Sequence, residues 1–312
     1  MKDLGKVTND NGVITALAID QRNSLKQMLG TLGTTENMAR FKEIVSEHLS
    51  PYAAAILLDP QYGLSAAQKT VESCAAILSY EVSGYRKDEP GRLPTLLDDW
   101  SVAKLKDNGA DSIKLLVYYD PDEGDDINDR KKTLIKCVGD ECAASELPFF
   151  LEIITYDYTS DDTKDKAFAV KRPHKINKSM EEFSKPEYHV DVLKVEVPVN
   201  MYFVEGFGED FVYTQEEARA FFKAQNEVTK VPFIFLSGGV PTEMFIDTLQ
   251  FAHDAGSNFN GILGGRAIWK ESIDIFVNDG EAATAEWMQT KGKKNILNIM
   301  NLVDKIARPI ER

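Results

Sequence analysis

The chain has 312 residues, 43% of them hydrophobic, with 36 basic against 50 acidic side chains and a formal net charge of −14. That length accommodates one barrel of about 250 residues with extensions, or two ordinary domains, and the charge argues against nucleic acid or an anionic membrane as the main partner. The opening MKDLGKVTND has no apolar export core, and no apolar run approaches the roughly 18 residues of a membrane span, so a cytoplasmic globular protein of enzyme size is expected.

Short apolar segments rich in β-formers alternate with longer segments of helical period. Strands are predicted at Val13 to Ile19, Ala54 to Leu58, Cys74 to Tyr80 and Ser112 to Tyr118. Four more are predicted at Phe149 to Ile154, Val192 to Val197, Phe233 to Leu236 and Gly261 to Leu263. Helical punctuation stands between them. Thr214 and Glu217 form a capping box before EARAFFKAQNEV, and Pro241-Thr242 opens a helix that Gly256 closes.

Strands apolar on both faces belong to a buried parallel sheet, and eight such units in one chain predict an α/β protein, a single-domain (β/α)8 TIM barrel spanning 1–312. No GxGxxG follows the first strand, which removes support for a dinucleotide fold. Irregular excursions are predicted at 86–99, at the acidic stretch 120–129, and at 157–178, where acidic residues give way to KRPHK. Each reads as a lid or as solvated surface; Lys171, Arg172 and Lys175 could reach a distal anionic group.

No metal site is signalled: Cys74, Cys137 and Cys142 have no ligand spacing, and His48, His174, His189 and His253 are widely separated. The cysteines are expected reduced, half-buried and structural.

In a barrel the chemistry sits at the carboxyl ends of the strands. Those ends carry Asp20, Gln21 and Arg22; Asp59; Lys114; Glu152; Lys194; Ser237 to Gly239; and Gly264 to Arg266. Lys194 lies in the apolar run VDVLKVEVPVN, at a position predicted to face inward. One reading makes it a neutral nucleophile for imine chemistry, its charge disfavoured by burial and by a second lysine, Lys114. The other lets it snorkel to the rim or pair with Glu196, which shares its face. Glu152, in an apolar strand, is expected to have a raised pKa suited to proton transfer. Structural ion pairing in the barrel mouth is the alternative for each charged group. Ser237-Gly-Gly and Gly264-Gly-Arg266 follow the last two strands, where barrels often hold phosphate: glycines admit backbone N–H groups to the anion, and Arg266 adds a charged fork.

ALAIDQRNSLK, ILLDPQYGL, SIKLLVYYD, FFLEIITYD, VDVLKVEVPVN, FLSGGV and NGILGGRAIW together resemble the class I tagatose 1,6-bisphosphate aldolases of bacterial galactose and lactose catabolism, through nearly the whole chain. The resemblance implies a (β/α)8 fold and cleavage of D-tagatose 1,6-bisphosphate to dihydroxyacetone phosphate and D-glyceraldehyde 3-phosphate, with no metal or other cofactor. It makes Lys194 the Schiff-base lysine and Glu152 the acid/base, with Asp20, Gln21 and Lys114 handling the hydroxyls. Ser237, Gly239, Gly265 and Arg266 would hold the C1 phosphate, and Arg22 would contact the second. Asn23 departs from the glycine expected after DQR; asparagine is a residue that tolerates positive φ. Homo-oligomerisation is suggested by the resemblance alone. Aldolases of the same chemistry acting on fructose 1,6-bisphosphate or 6-deoxy-6-sulfofructose 1-phosphate form the alternative, as does a regulatory protein that binds sugar phosphates with little turnover.

Overall fold

A computed structural model describes residues 2–160 and 162–311. Eight parallel strands pair in sequence order and close on themselves: β1 (Ile14–Ala18), β2 (Ala55–Leu58), β3 (Ala75–Ser79), β4 (Ser112–Tyr119), β5 (Phe149–Thr155), β6 (Val192–Val195), β7 (Phe233–Leu236) and β8 (Gly261–Gly264). The ring is completed by β1 against β8, with Ala16 opposite Leu263. Helices follow the strands on the outside, as the alternating sequence pattern requires.

Alternation along each strand divides the core in two. Ile14, Ala16, Ala18, Ala55, Leu57, Ala75, Ile77, Phe150, Val192, Ile234 and Leu263 fill the barrel's interior, with Leu4, Val7 and Ile310 in the same cluster. Their neighbours, among them Leu17, Ile56, Leu78, Leu151 and Leu193, pack outward with the helices. Both strand faces are therefore buried, which explains the near-continuous apolar runs. Small residues on β1, β2 and β3 offset the bulk of Phe150, and the interior is a packed core up to the level of Lys114 and Lys194.

Two excursions are shorter than the sequence implies. The stretch 120–129 turns helical at Asp125, where Asp125 and Asp126 suit the positive end of the helix Asp125–Ala144. Within 157–178, the helix Lys166–Phe183 begins after Asp165, whose side chain accepts from the Phe168 amide, and it carries KRPHK through its second and third turns. Pro173 sits inside that helix. A buried stripe of Phe168, Ile176, Met180 and Phe183 outweighs the proline's missing donor. The third excursion, 86–99, is irregular, folded back by Val82 N to Thr95 O at 2.7 Å and Arg86 N to Leu93 O at 3.0 Å.

The capping box at Thr214 and Glu217 is present in full, and Thr242–Asp254 is helical after Pro241. Cys74 and Cys142 are buried thiols, each pushed up to about 12 chiefly by burial, whereas Cys137 is exposed rather than half-buried. Among the described residues no helix is long and apolar enough to cross a membrane.

Candidate active site

At the carboxyl end of the barrel, interior positions stop being apolar. Lys114 on β4, Glu152 on β5 and Lys194 on β6 converge on the mouth, Lys114 opposite Phe150 and Glu152 and Lys194 each two residues past the interior Phe150 and Val192, and Asp20 enters from the loop after β1. The Lys114 side chain is 0% exposed, and its Nζ lies 2.8 Å from Asp20 Oδ2, 2.9 Å from Glu81 Oε1 and 2.9 Å from Glu152 Oε2. Glu152 Oε1 is 2.9 Å from Lys194 Nζ, so this carboxylate bridges the two lysines. Lys194 is buried beside it and does not pair with Glu196, which accepts from Thr155 N at 2.9 Å and pairs with Arg172 at 3.2 Å.

The electrostatics reverse two expectations. Burial pushes Lys114 down, but the carboxylates of Asp20, Glu152 and Glu81 outweigh it and hold the ammonium well above the ordinary lysine value. Lys114 is thus a fixed cation rather than one of two mutually depressed amines. Burial likewise pushes Glu152 up, but Lys114 and Lys194 together bring it below the ordinary glutamate value instead of above it. Asp20 follows the same pattern: burial opposes charge, and Lys114, Lys194 and Lys42 draw it well below the aspartate range. An apolar strand does not make an apolar site when two ammonium groups converge on it.

The loops after β7 and β8 meet at one side of the mouth. Ser237 to Val240 is a tight turn closed by Val240 N to Ser237 O at 3.2 Å, and Gly238 (φ +60°) and Gly239 (φ +82°) both need the left-handed region. Gly239 lies under the Arg266 guanidinium: a Cβ there would stand 3.1 Å from Cζ. A Cβ on Gly265 would meet Ala18 O at 2.9 Å and Gln21 Nε2 at 3.4 Å. Gln21 Oε1 is buried without a hydrogen-bond partner among the described residues. The structure therefore gathers Ser237, Gly239, Gly265, Arg266 and Gln21 beside the charged cluster.

A family model described as DeoC/LacD family aldolase matches residues 14–271, a span running from β1 past Arg266. The chain belongs to the DeoC/LacD family of aldolases. Among its DeoC/LacD relatives, tagatose 1,6-diphosphate aldolase 1 of Enterococcus faecalis is 52% identical over 297 residues, covering 95% of this chain and 91% of that protein. The tagatose 1,6-diphosphate aldolase of Streptococcus pneumoniae is 47% identical over 298 residues, covering 94% and 91%. In fold, this DeoC/LacD barrel matches fructose-bisphosphate aldolase from Plasmodium falciparum with a TM-score of 0.68 at 14% identity, over 95% of this chain and 92% of that one. A Schiff base forming fructose-1,6-bisphosphate aldolase matches at 0.60 and 13% identity, over 96% and 98%. At such identities the barrel is what is shared.

Asp59 and the basic residues of 157–178 do not join this DeoC/LacD site, whereas Arg22 reaches its edge through Glu81. Asp59 is buried under it in a 2.6 Å pair with Lys42 and caps the Gln61 and Tyr62 amides. Lys175 is taken by Asp120 at 2.5 Å, Lys171 by Asp157 at 2.5 Å and Arg172 by Glu196. Arg22 is buried and turned toward Glu81, at 3.2 Å from Oε1. Asn23 opens the helix Asn23–Leu29 without positive φ, so its replacement of glycine strains nothing, and its Nδ2 reaches Ser83 O at 3.4 Å.

Two residues of the cluster escaped sequence reading. Glu81 stands two positions past β3, in a segment where AAILSY suits a helix as well as a strand, so its place at a strand end was not visible. Lys42 lies on the helix Thr35–Leu49 in line with Met38, Val45 and Leu49; a lysine on that apolar stripe was the available signal.

Proposed function

We propose that the chain is a class I aldolase that cleaves D-tagatose 1,6-bisphosphate to dihydroxyacetone phosphate and D-glyceraldehyde 3-phosphate. The observation that carries this reading is the buried Lys194 amine 2.9 Å from Glu152, with the permanently charged Lys114 on the carboxylate's other oxygen. Relatives at about half identity bearing the tagatose name supply the substrate.

Glu152 takes a proton from the Lys194 ammonium, and the freed amine attacks C2 of the ketose. One proton passes from the attacking nitrogen to the C2 oxygen to give the carbinolamine, and Glu152 returns the other to the same oxygen, so that water leaves and a cationic imine remains. The electrons of the C3–C4 bond then flow into the imine. The C4 hydroxyl proton passes to Glu152 or to a substrate phosphate oxygen, and the aldehyde departs as glyceraldehyde 3-phosphate. Protonation of the enamine at C3 and hydrolysis of the imine release dihydroxyacetone phosphate and restore Lys194. Asp20, Lys114 and the unpaired Gln21 Oε1 present the donors and acceptors that orient the hydroxyls. Ser237, Gly239, Gly265 and Arg266 hold the C1 phosphate, and Arg22 contacts the second, a reading supported by its buried Nε, which has no hydrogen-bond partner among the described residues. Anchoring both ends keeps the C3–C4 bond aligned with the imine for cleavage.

The test is to incubate the protein with dihydroxyacetone phosphate and EDTA, reduce with borohydride, and map the adduct by peptide mass. Modification at Lys194 is expected; folded protein without adduct overturns the reading. Turnover compared on tagatose, fructose and sulfofructose phosphates then fixes the substrate.

A further inference from the structure

Glu81 belongs to no strand, yet it touches both cations on its side of the mouth. Its Oε1 accepts from Lys114 Nζ at 2.9 Å and from Arg22 Nη2 at 3.2 Å, and its Oε2 accepts from the Leu116 amide at 3.0 Å. Its backbone carbonyl takes Arg22 Nη1 at 2.6 Å. Pairing between β3 and β4 ends at Ser79 opposite Lys114, so the Glu81 side chain supplies the acceptor that the ladder no longer offers to Leu116. Gln61 holds Arg22 Nη1 as well, at 3.2 Å, and leaves Nε as the buried edge without a partner among the described residues.

We propose that Glu81 is a positioning residue of the aldol reaction: it fixes Lys114 and Arg22 relative to one another and supplies the negative charge that matches the mouth to a cationic imine at Lys194. The proposal rests on the Schiff-base reading above.

The charges around Lys194 come from four elements, while β7, paired with β6, adds the uncharged Ser237 and β8 leads to Arg266 over Gly239. Asp20 and Arg22 follow β1, Glu81 follows β3, Lys114 is on β4 and Glu152 on β5, while Lys42 lies behind Asp20 already paired with Asp59. Asp20, Glu81 and Glu152 balance Arg22, Lys114 and a charged Lys194. Loss of the Lys194 proton leaves one negative charge in excess, and the iminium restores the balance. Without the Glu81 side chain that intermediate would form in a mouth already neutral before it appears, Lys114 would lose one of its three carboxylates, and Arg22 would keep only its contacts to the backbone carbonyl of residue 81 and to Gln61.

Wild-type, Glu81→Gln and Glu81→Asp proteins are compared by borohydride trapping with dihydroxyacetone phosphate from pH 5 to 9, together with kcat. Removing one negative charge at roughly 8 Å, in a site of effective dielectric about 20, moves the acid limb of adduct formation in Glu81→Gln to lower pH by about one and a half units. Its kcat falls about tenfold or more as Lys114 loses its anchor. Glu81→Asp keeps the charge but withdraws the carboxylate by roughly 1.5 Å, so it retains the wild-type limb and loses kcat. An unshifted limb in folded Glu81→Gln overturns the proposal. If that variant does not fold, Glu81→Asp decides: unchanged kcat overturns the proposal, and lowered kcat on a wild-type limb supports it. Wild-type protein that forms no adduct at any pH overturns the Schiff-base reading, and the proposal with it.

Discussion

Replacing Lys114 by methionine tests whether the mouth of this barrel is organised around a permanent cation. The side chain is fully buried and contacts three carboxylates at 2.8 to 2.9 Å, so the substitution keeps length and apolar stem while stripping Asp20, Glu81 and Glu152 of their shared partner. Breaking a buried pair from one side costs about 3–5 kcal/mol. For a chain of this size that corresponds to a fall in Tm on the order of 10 °C.

The pH dependence gives the sharper discrimination. In the wild type, Asp20 and Glu152 lie below their ordinary values, despite burial, because Lys114 and Lys194 outweigh it. They stabilise the fold above their unfolded values near about pH 4 and lose that contribution as pH falls through the depressed ones. Lys114, held well above the ordinary lysine value by Asp20, Glu152 and Glu81 against the opposing pull of burial, contributes fully below about pH 10 and loses its share as pH rises beyond. Wild-type stability from these groups is therefore flat between about pH 5 and 9. In Lys114→Met the three carboxylates crowd a dry space, and one takes up a proton well above its unfolded value, so that variant gains stability as pH falls from 7.5 to 5. Urea unfolding at the two pH values is expected to show a gap of several kcal/mol at the higher pH that narrows at the lower. A gap that stays constant or widens on acidification would refute the cation-centred account.

Lys194→Arg keeps a cation beside Glu152 but offers no nucleophile at accessible pH, so kcat should drop by about a thousandfold or more, with no borohydride adduct and an unchanged circular dichroism spectrum. Gly239→Ala places a Cβ at φ +82° and 3.1 Å from the Arg266 guanidinium carbon, which should raise KM for phosphorylated substrates about tenfold while leaving the Lys194 peptide trappable at high ligand concentration. Lys42→Met removes a 2.6 Å pair with Asp59 and the donor to Ile19 O, for an expected loss of about 3–5 kcal/mol in chemical denaturation; a loss below about 1 kcal/mol would show that pair to be dispensable.

The barrel was legible because its strands are apolar on both faces and its turns are punctuated; each predicted strand overlaps an observed one, and β6 ends two residues early, at Val195, where its pairing with both β5 and β7 ends. Loop chemistry was harder to read. In 157–178 the proline and the charges looked like solvated chain, and only packing of Phe168, Ile176 and Met180 makes 166–183 a helix. Lys194, Glu152, Lys114 and Asp20 were readable as strand-end groups, and the structure brings all four together. Their protonation was not readable: burial of Glu152 is local and predicts a rise, while the lysines that reverse it come from β4 and β6, whose approach depends on barrel closure. Glu81 was hidden for the same reason, since its partners Arg22 and Lys114 are remote in sequence.

The charge census also constrains how an anionic sugar is held. The chain carries a net −14, and within the mouth Asp20, Glu81 and Glu152 already offset Arg22, Lys114 and Lys194. Little positive field is left to draw a bisphosphate from solution, so steering cannot supply much of its binding. What remains is the single guanidinium charge of Arg266 and the backbone N–H groups of two glycine turns, which act at hydrogen-bond range and carry no net charge of their own. Glycine at 239 and 265 follows directly: Gly239 has positive φ beneath the guanidinium, and Gly265 presses against the Ala18 carbonyl too closely for a Cβ. On the proposed reading the phosphate end thus relies on one guanidinium, shape and short contacts, while the positive charge of Lys114 and of an imine at Lys194 acts on the electrons of the reaction rather than on the phosphates.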